Sequence, residues 1–220
     1  MAIDKIQANA FADDAITADK INLANNFAFT GTVSGTPVGL TLLSTNTISG
    51  TSTSSVEFAD LFSSTYENYR VYIECSAVSG DAKLNLRFNK ASGTISSSNY
   101  IHVKGGATRN ISSDASGNTY NAGEGTEIIL SGQEGINDNV LYGSSWILEI
   151  PNPLGTTSYQ TAKWSMSTIA NNSVNFYTFQ GSGWLKDDAN ACTGLYFFMS
   201  SGNFKAPTKF RLYGVNVWRN

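Results

Sequence analysis

Stretches in which apolar and polar residues alternate recur along most of this chain. In residues 70–75 the apolar side chains are Val71, Ile73 and Cys75, and residues 83–88 follow the same alternation. Successive side chains of a β-strand point to opposite faces, so a period of two places the apolar set on one face. These stretches therefore predict strands that bury one face and expose the other.

The composition favours the same fold class. Ser, Thr, Asn and Gly make up 90 of the 220 residues, whereas 14% of the residues are charged. These residue types are typical of strands and turns rather than helices. We predict an all-β body, an antiparallel and jelly-roll-like β-sandwich. Its predicted strands cover residues 41–48, 70–76, 83–89, 99–104, 126–130, 145–150, 162–169, 173–179, 194–200 and 208–218.

Three stretches interrupt this pattern. Residues 58–66 are predicted as a single helical turn or corner that carries aromatic side chains into the core. Residues 91–98 and 105–125 are rich in Gly, Ser and Asn, so we expect them to be exposed connections at one end of the sandwich. The tryptophans assigned to the core or to subunit contacts are Trp146, Trp164 and Trp218.

The first forty residues have a different character. The tripeptide Asp-Lys-Ile at residues 4–6 recurs at residues 19–21, although chance similarity in an Ala- and Asp-rich segment also explains the match. The apolar residues here are too sparse to bury one another within one chain, so we expect burial between chains or against a partner. We predict an extended or partly helical anchor over residues 1–26, a short extended trimerising stalk over residues 27–40 and the body over residues 41–220. The anchoring residues are Ile3, Ile6, Phe11, Ile16, Ile21 and Leu23, and the stalk residues are Phe27, Phe29 and Val33.

Charge and hydropathy exclude two classes of partner. The net charge is −3 and the Lys and Arg residues are scattered, so the phosphate neutralisation on which nucleic-acid binding depends is missing. No apolar run reaches about eighteen residues, and the N-terminus lacks the order of a signal peptide, so we expect no membrane insertion. Cys75 and Cys192 could form one disulfide, but two buried free thiols are the favoured interpretation.

Candidate catalytic groups are few. His102 is the one histidine, and no nucleophile elbow accompanies it, so we interpret it as a structural residue. One histidine and two distant cysteines do not make a zinc site. Residues 114–120 alternate oxygen ligands as a calcium loop does, but the acidic residue that should close the loop, Glu124, is displaced. We therefore predict a protein that is not an enzyme and that needs no metal or cofactor.

Carbohydrate recognition is the chemistry that the remaining residues favour. Sugars stack on exposed aromatic rings while neighbouring carboxylates and amides bind their hydroxyls. Trp184 stands with Asp187 and Asp188 in a loop-like segment, and Tyr120 and Tyr142 lie in other Gly- and Asn-rich stretches. Each of these rings could instead fold back and cap the core.

Residues 16–35 resemble the N-terminal and shaft regions of bacteriophage tail fibres. The body resembles a β-sandwich module of phage virion proteins, through pieces at residues 56–58, 69–73, 84–88, 146–150, 201–204 and 210–215. The resemblance implies a homotrimeric fibre or spike located on the virion. In such a protein the N-terminal segment joins other virion proteins of the tail or capsid, and the body faces host surface polysaccharide.

Three hypotheses follow for the function. The first is a short trimeric tail fibre that binds host glycan without catalysis. The alternative, in the structural class, is a capsid decoration or head-fibre protein without a receptor role. The third is an enzyme that degrades surface polysaccharide, because two carboxylates are sufficient for glycoside hydrolysis.

Overall fold

A computed structural model of the protein describes residues 39–77, 82–97, 100–110, 113, 116–132, 135–136, 143–169, 175–186 and 189–216. Within these ranges the protein is all-β, with thirteen strands and no helix. The strands are β1 (Gly39–Ile48), β2 (Ser55–Phe58), β3 (Asn68–Ala77), β4 (Leu84–Lys90), β5 (Gly93–Thr94), β6 (Tyr100–Asn110), β7 (Ser116–Gly125), β8 (Ile128–Ile129), β9 (Ser144–Pro151), β10 (Thr161–Ile169), β11 (Asn175–Leu185), β12 (Gly194–Met199) and β13 (Phe204–Asn216).

The strands form two antiparallel sheets. The larger sheet has eight strands in the order β1-β13-β3-β9-β10-β11-β6-β7. The smaller sheet has five strands, in which β2, β12, β4 and β5 follow one another and β8 also pairs with β4. Every neighbouring pair is antiparallel, as predicted from the alternating pattern.

The core lies between the inner faces of the two sheets, which makes the fold β-sandwich-like. The predicted buried sets of residues 70–75 and 83–88 are all buried. Phe197 of the smaller sheet packs on Phe210 of the larger one, with ring centroids 5.2 Å apart. The Phe88 N–H donates a hydrogen bond across the same space to the Tyr100 hydroxyl, over 2.9 Å. Apolar packing and a satisfied polar group therefore join the two layers.

The prediction of an exposed connection over residues 105–125 is wrong. Residues Tyr100–Asn110 and Ser116–Gly125 form two long paired strands, β6 and β7, and β6 also pairs with β11 along its whole length. The pairing of β6 with β11 requires a small residue at Gly106, because a Cβ there would lie 1.8 Å from the Thr178 carbonyl oxygen. The pairing depends on backbone contacts between segments that are distant in the chain. The alternation of apolar residues does not indicate such contacts, so it did not predict strands over residues 105–125.

Residues 58–66 are predicted as a single helical turn or a corner, and the structure has a corner there without a helix. Phe58 ends β2, and Asp60 adopts a left-handed φ of 51°, which a right-handed helix does not allow. The Ser63 N–H donates to the Tyr69 hydroxyl (2.6 Å), which in turn donates to the Ser63 carbonyl (2.9 Å). The Tyr66 N–H also donates to the Ser63 carbonyl (3.3 Å), so the Tyr69 side chain and one backbone turn together hold the corner. The corner does bury an aromatic ring, Phe62, as expected.

Cys75 and Cys192 are both free and buried, so the favoured interpretation of the cysteines is confirmed.

By backbone contacts the chain divides into Met1–Thr36 and Pro37–Asn220. The first unit lies outside the described residues. Within the described part of the chain, no helix is long and apolar enough to cross a membrane.

Replacing Gly106 with Ala tests the β6–β11 pairing. We expect G106A to lower the free energy of unfolding by about 1–3 kcal/mol, because the added methyl group meets backbone atoms that cannot turn aside. G117A in β7 is the matched control, since a Cβ there meets nothing within 4 Å. Urea unfolding of both variants measures the difference, and equal stabilities would contradict the pairing.

Candidate binding face

The eight-stranded sheet has an outer face, on the side opposite the core. Residues from all eight strands are in register across it and form one row, here called the central row. Strands lie about 4.8 Å apart, so the row spans roughly 34 Å. From β1 to β7 its members are Thr45, Arg211, Tyr72, Ile147, Ser165, Gln180, Gly105 and Tyr120.

Exposed apolar side chains are concentrated on this face. Of the seven large hydrophobic residues that are exposed in the described ranges, six belong to it and one, Tyr159, lies outside the strands. Apolar groups that gather on one surface mark a site of interaction more often than scattered ones do. The six residues are Leu40, Leu42, Val103, Tyr120, Ile147 and Phe176.

Three shallow depressions lie side by side on the outer face, with volumes of about 210, 360 and 330 Å³. The first and second share Glu149 and Lys163, and the second and third share Ser165 and Gln180. Because neighbours share their walls, the three form one open trough across β3, β9, β10, β11 and β6. We call it the trough below.

The trough has polar groups on its floor at the Tyr120 end and aromatic rings at its flanks. Ser165 and Gln180 supply a hydroxyl and an amide on neighbouring strands. At one end Tyr120 is 81% exposed, and its ring lies over Gly105, where a Cβ would stand 2.8 Å from the ring atom Cδ1. The absence of a side chain at Gly105 lets the ring lie down on the sheet with its other side towards solvent. Such a ring is a platform for stacking.

The opposite flank of the trough is formed by residues of β3, β9 and β13. Tyr72 is next to Ile147 in the central row and makes an edge-to-face contact with Tyr213, with centroids 5.5 Å apart. Arg70 forms an ion pair with Glu149 at the wall of the trough. Apolar, aromatic and charged groups therefore border one continuous surface.

Two of the predicted glycan-binding residues lie on the outer face. Tyr120 belongs to β7 and Trp184 to β11, so the prediction of loop positions for both is wrong. Trp184 is partly buried, and the strand registers place it roughly 17 Å from Tyr120, so the structure does not bring the two rings together. Tyr142, Asp187 and Asp188 lie outside the described residues. The same holds for Trp218, for the anchoring residues Ile3, Ile6, Phe11, Ile16, Ile21 and Leu23, and for the stalk residues Phe27, Phe29 and Val33.

Sequence reasoning missed the residues that line the middle of the trough. Ile147, Lys163 and Gln180 stand at the outward positions of strands whose inward positions are strongly apolar. One signal was available, because Ile147 is an apolar residue at an outward position of its strand. Which outward residues become neighbours depends on the order of the strands, and the sequence pattern does not contain that order.

His102 lies on the inner face of β6, away from the trough. It is 2% exposed, and neither ring nitrogen has a hydrogen-bond partner. Burial lowers its pKa to about 4, and the nearby Lys104 charge acts in the same direction. Lys104 is also buried and donates hydrogen bonds to the Ile129 and Ser131 carbonyls. Among the described residues, no group of three or more His, Cys, Asp or Glu is arranged to hold a metal ion.

Comparisons with protein-family models, with curated proteins and with solved structures find no significant match to this chain.

The buried histidine predicts acid sensitivity. The folded-state pKa of His102 is about 4 and the ordinary value is 6.5, so the unfolded chain binds the proton more readily between these pH values. We expect the free energy of unfolding to fall by about 3 kcal/mol on this account as the pH drops from 6.5 to 4. H102F removes the titration and loses no hydrogen bond.

Urea unfolding at several pH values measures the effect as a difference between the wild type and H102F. The stabilities of the two proteins should diverge on acidification, with the wild type becoming the less stable. Parallel pH profiles would show that His102 does not titrate in this way.

Proposed function

We propose that this protein is a non-enzymatic phage virion protein, a short homotrimeric tail fibre whose jelly-roll-like body binds host surface glycan. The resemblance of residues 16–35 and of the body pieces to tail-fibre and virion modules supports the virion part of the proposal. The residues of the outer face support the glycan part. Residues 1–26 would attach the fibre to other virion proteins, and residues 27–40 would join three copies.

The observation that carries the proposal is the Tyr120 ring at the end of the trough where polar groups stand on the floor. A sugar ring binds an aromatic ring through its apolar side and offers its hydroxyls to neighbouring polar groups. Ser165 and Gln180 provide such groups on the floor of the trough. The trough is open along the sheet, so it suits an extended polymer better than an enclosed small molecule.

Weak individual sites are compatible with firm attachment to a cell. Three copies in a fibre, and several fibres on a particle, convert later binding events into intramolecular ones with a high effective concentration. A shallow surface that binds one sugar chain weakly therefore serves adsorption. Because many weak contacts act together, a receptor-binding protein of this kind does not need a deep pocket.

Replacing Tyr120 with Ala tests the glycan part. We expect Y120A to weaken binding to polysaccharide extracted from the host surface by roughly three- to tenfold, through loss of ring stacking. Y159A is the matched control, because Tyr159 is an exposed tyrosine that lies outside the strands of the sheet. Biolayer interferometry with immobilised polysaccharide measures both variants. Equal losses for the two, or no loss for either, would contradict the assignment of the stacking platform.

Removing residues 1–26 tests the virion part. We expect particles assembled with this deletion to lack the protein, because the apolar residues assigned to anchoring are gone. Mass spectrometry of purified particles detects the chain, and normal incorporation would contradict the anchor. Electron microscopy of wild-type particles with a labelled chain separates the hypotheses further, since a capsid location without binding to cells would favour a decoration protein.

A further inference from the structure

Lys163 occupies the middle of the trough. It is an exposed residue on β10 and lines both the first and the second depression. In the strand register it stands between Glu149 on β9 and Ser182 on β11. A ligand that follows the trough from Tyr120 towards β3 therefore passes its ammonium group.

The carboxylate that faces Lys163 in the strand register already forms an ion pair with another cation. Glu149 is ion-paired with Arg70, which lies on its other side on β3. Glu74 is ion-paired with Arg211 over 3.0 Å, further along the same face. The ammonium group of Lys163 takes part in none of the side-chain hydrogen bonds and ion pairs of the described residues. Among the described charged residues that line the trough, Lys163 is thus the one without an ion-pair partner.

The sign of this local charge opposes that of the whole molecule. The chain carries a net charge of −3, so a positive trough does not follow from a generally basic surface. An unpaired cation beside hydroxyl, amide and aromatic groups complements a sugar that carries an anion. A neutral sugar would gain little from Lys163, because a water molecule already solvates the ammonium group equally well.

We propose that the trough binds an anionic glycan, with the carboxylate or phosphate group of one sugar unit against Lys163. This inference rests on the proposed glycan-binding function and names the class of ligand. Carboxylate and phosphate share the chemistry that Lys163 recognises, so the experiment distinguishes them. Glu149 limits the affinity, because it holds Arg70 and repels the ligand anion.

The test uses the full chain and four polymers. Polygalacturonate carries carboxylates and teichoic acid carries phosphates, while methyl-esterified polygalacturonate and dextran are neutral. We expect binding to at least one of the two anionic polymers that exceeds binding to the neutral ones and weakens as ionic strength rises. The anionic polymer that binds identifies the group. Binding to the neutral polymers alone, or binding without salt dependence, would overturn the anionic ligand.

Three variants locate the binding. K163M keeps the aliphatic stem and should weaken binding to the anionic polymer about tenfold or more, the size expected for one charged hydrogen bond. E149Q should strengthen binding, because it removes a repelling carboxylate and frees Arg70. K90M, at the end of β4 in the smaller sheet, is the control and should leave binding unchanged. Thermal unfolding confirms that all three are folded.

The opposite signs of K163M and E149Q separate this inference from a structural effect, since loss of stability would weaken binding in both. An unchanged affinity in K163M would overturn the role of Lys163. The binding results distinguish failure of this inference from failure of the proposed function. If Y120A weakens binding to host polysaccharide while no anionic polymer binds, the function stands and the anionic class is wrong; if neither the polymers nor host polysaccharide bind, both are wrong.

Discussion

Packing between the inner face of the eight-stranded sheet and the five-stranded sheet determines which residues this protein presents to its surroundings. Trp146, Leu148 and Ile150 alternate with exposed residues along β9, and the same alternation continues on β3 and β10. A shift of one residue in any of these strands would turn its buried set outward. The core therefore fixes the register, and the register places Ile147, Ser165 and Gln180 side by side on the outer face.

Glycines let the same sheet carry large rings on both faces. Inside, Gly181 lies against Trp164, whose ring atom Cζ2 would stand 2.3 Å from a Cβ at that position. Outside, Gly105 supports the Tyr120 ring in the same manner. In each pair the missing side chain on one strand makes room for an aromatic ring on the next. A glycine opposite an aromatic residue on the neighbouring strand thus contributes both to the packing of the core and to the shape of the candidate binding face.

The strands that could be predicted from the sequence are those with apolar alternation, such as β3 and β4. The first half of β6 was predicted, as a strand over residues 99–104. The rest of the β6–β7 hairpin was missed because Gly105, Gly106 and Ala107 carry no such signal; β6 is held by pairing with β11 and β7, and β7 by pairing with β6. Trp184 follows a Gly-Ser-Gly stretch that resembles a loop, yet the stretch pairs in register with β6 and β10. The trough could not be predicted from the sequence for a related reason. It forms only because β3 lies beside β9 and β11 lies beside β6, and the two strands of each pair are distant in the chain.

The outer face of the eight-stranded sheet is the surface that we propose binds glycan. Hydroxyl-radical footprinting of the protein with and without host polysaccharide tests it directly, because the method reports the solvent access of individual side chains. If glycan binds at the outer face, Tyr72, Ile147 and Tyr120 should become less reactive towards hydroxyl radicals when polysaccharide is added. The reactivity of Tyr159 and Tyr196 should stay the same. Protection of Tyr159 or Tyr196, with the outer-face residues unchanged, would contradict it.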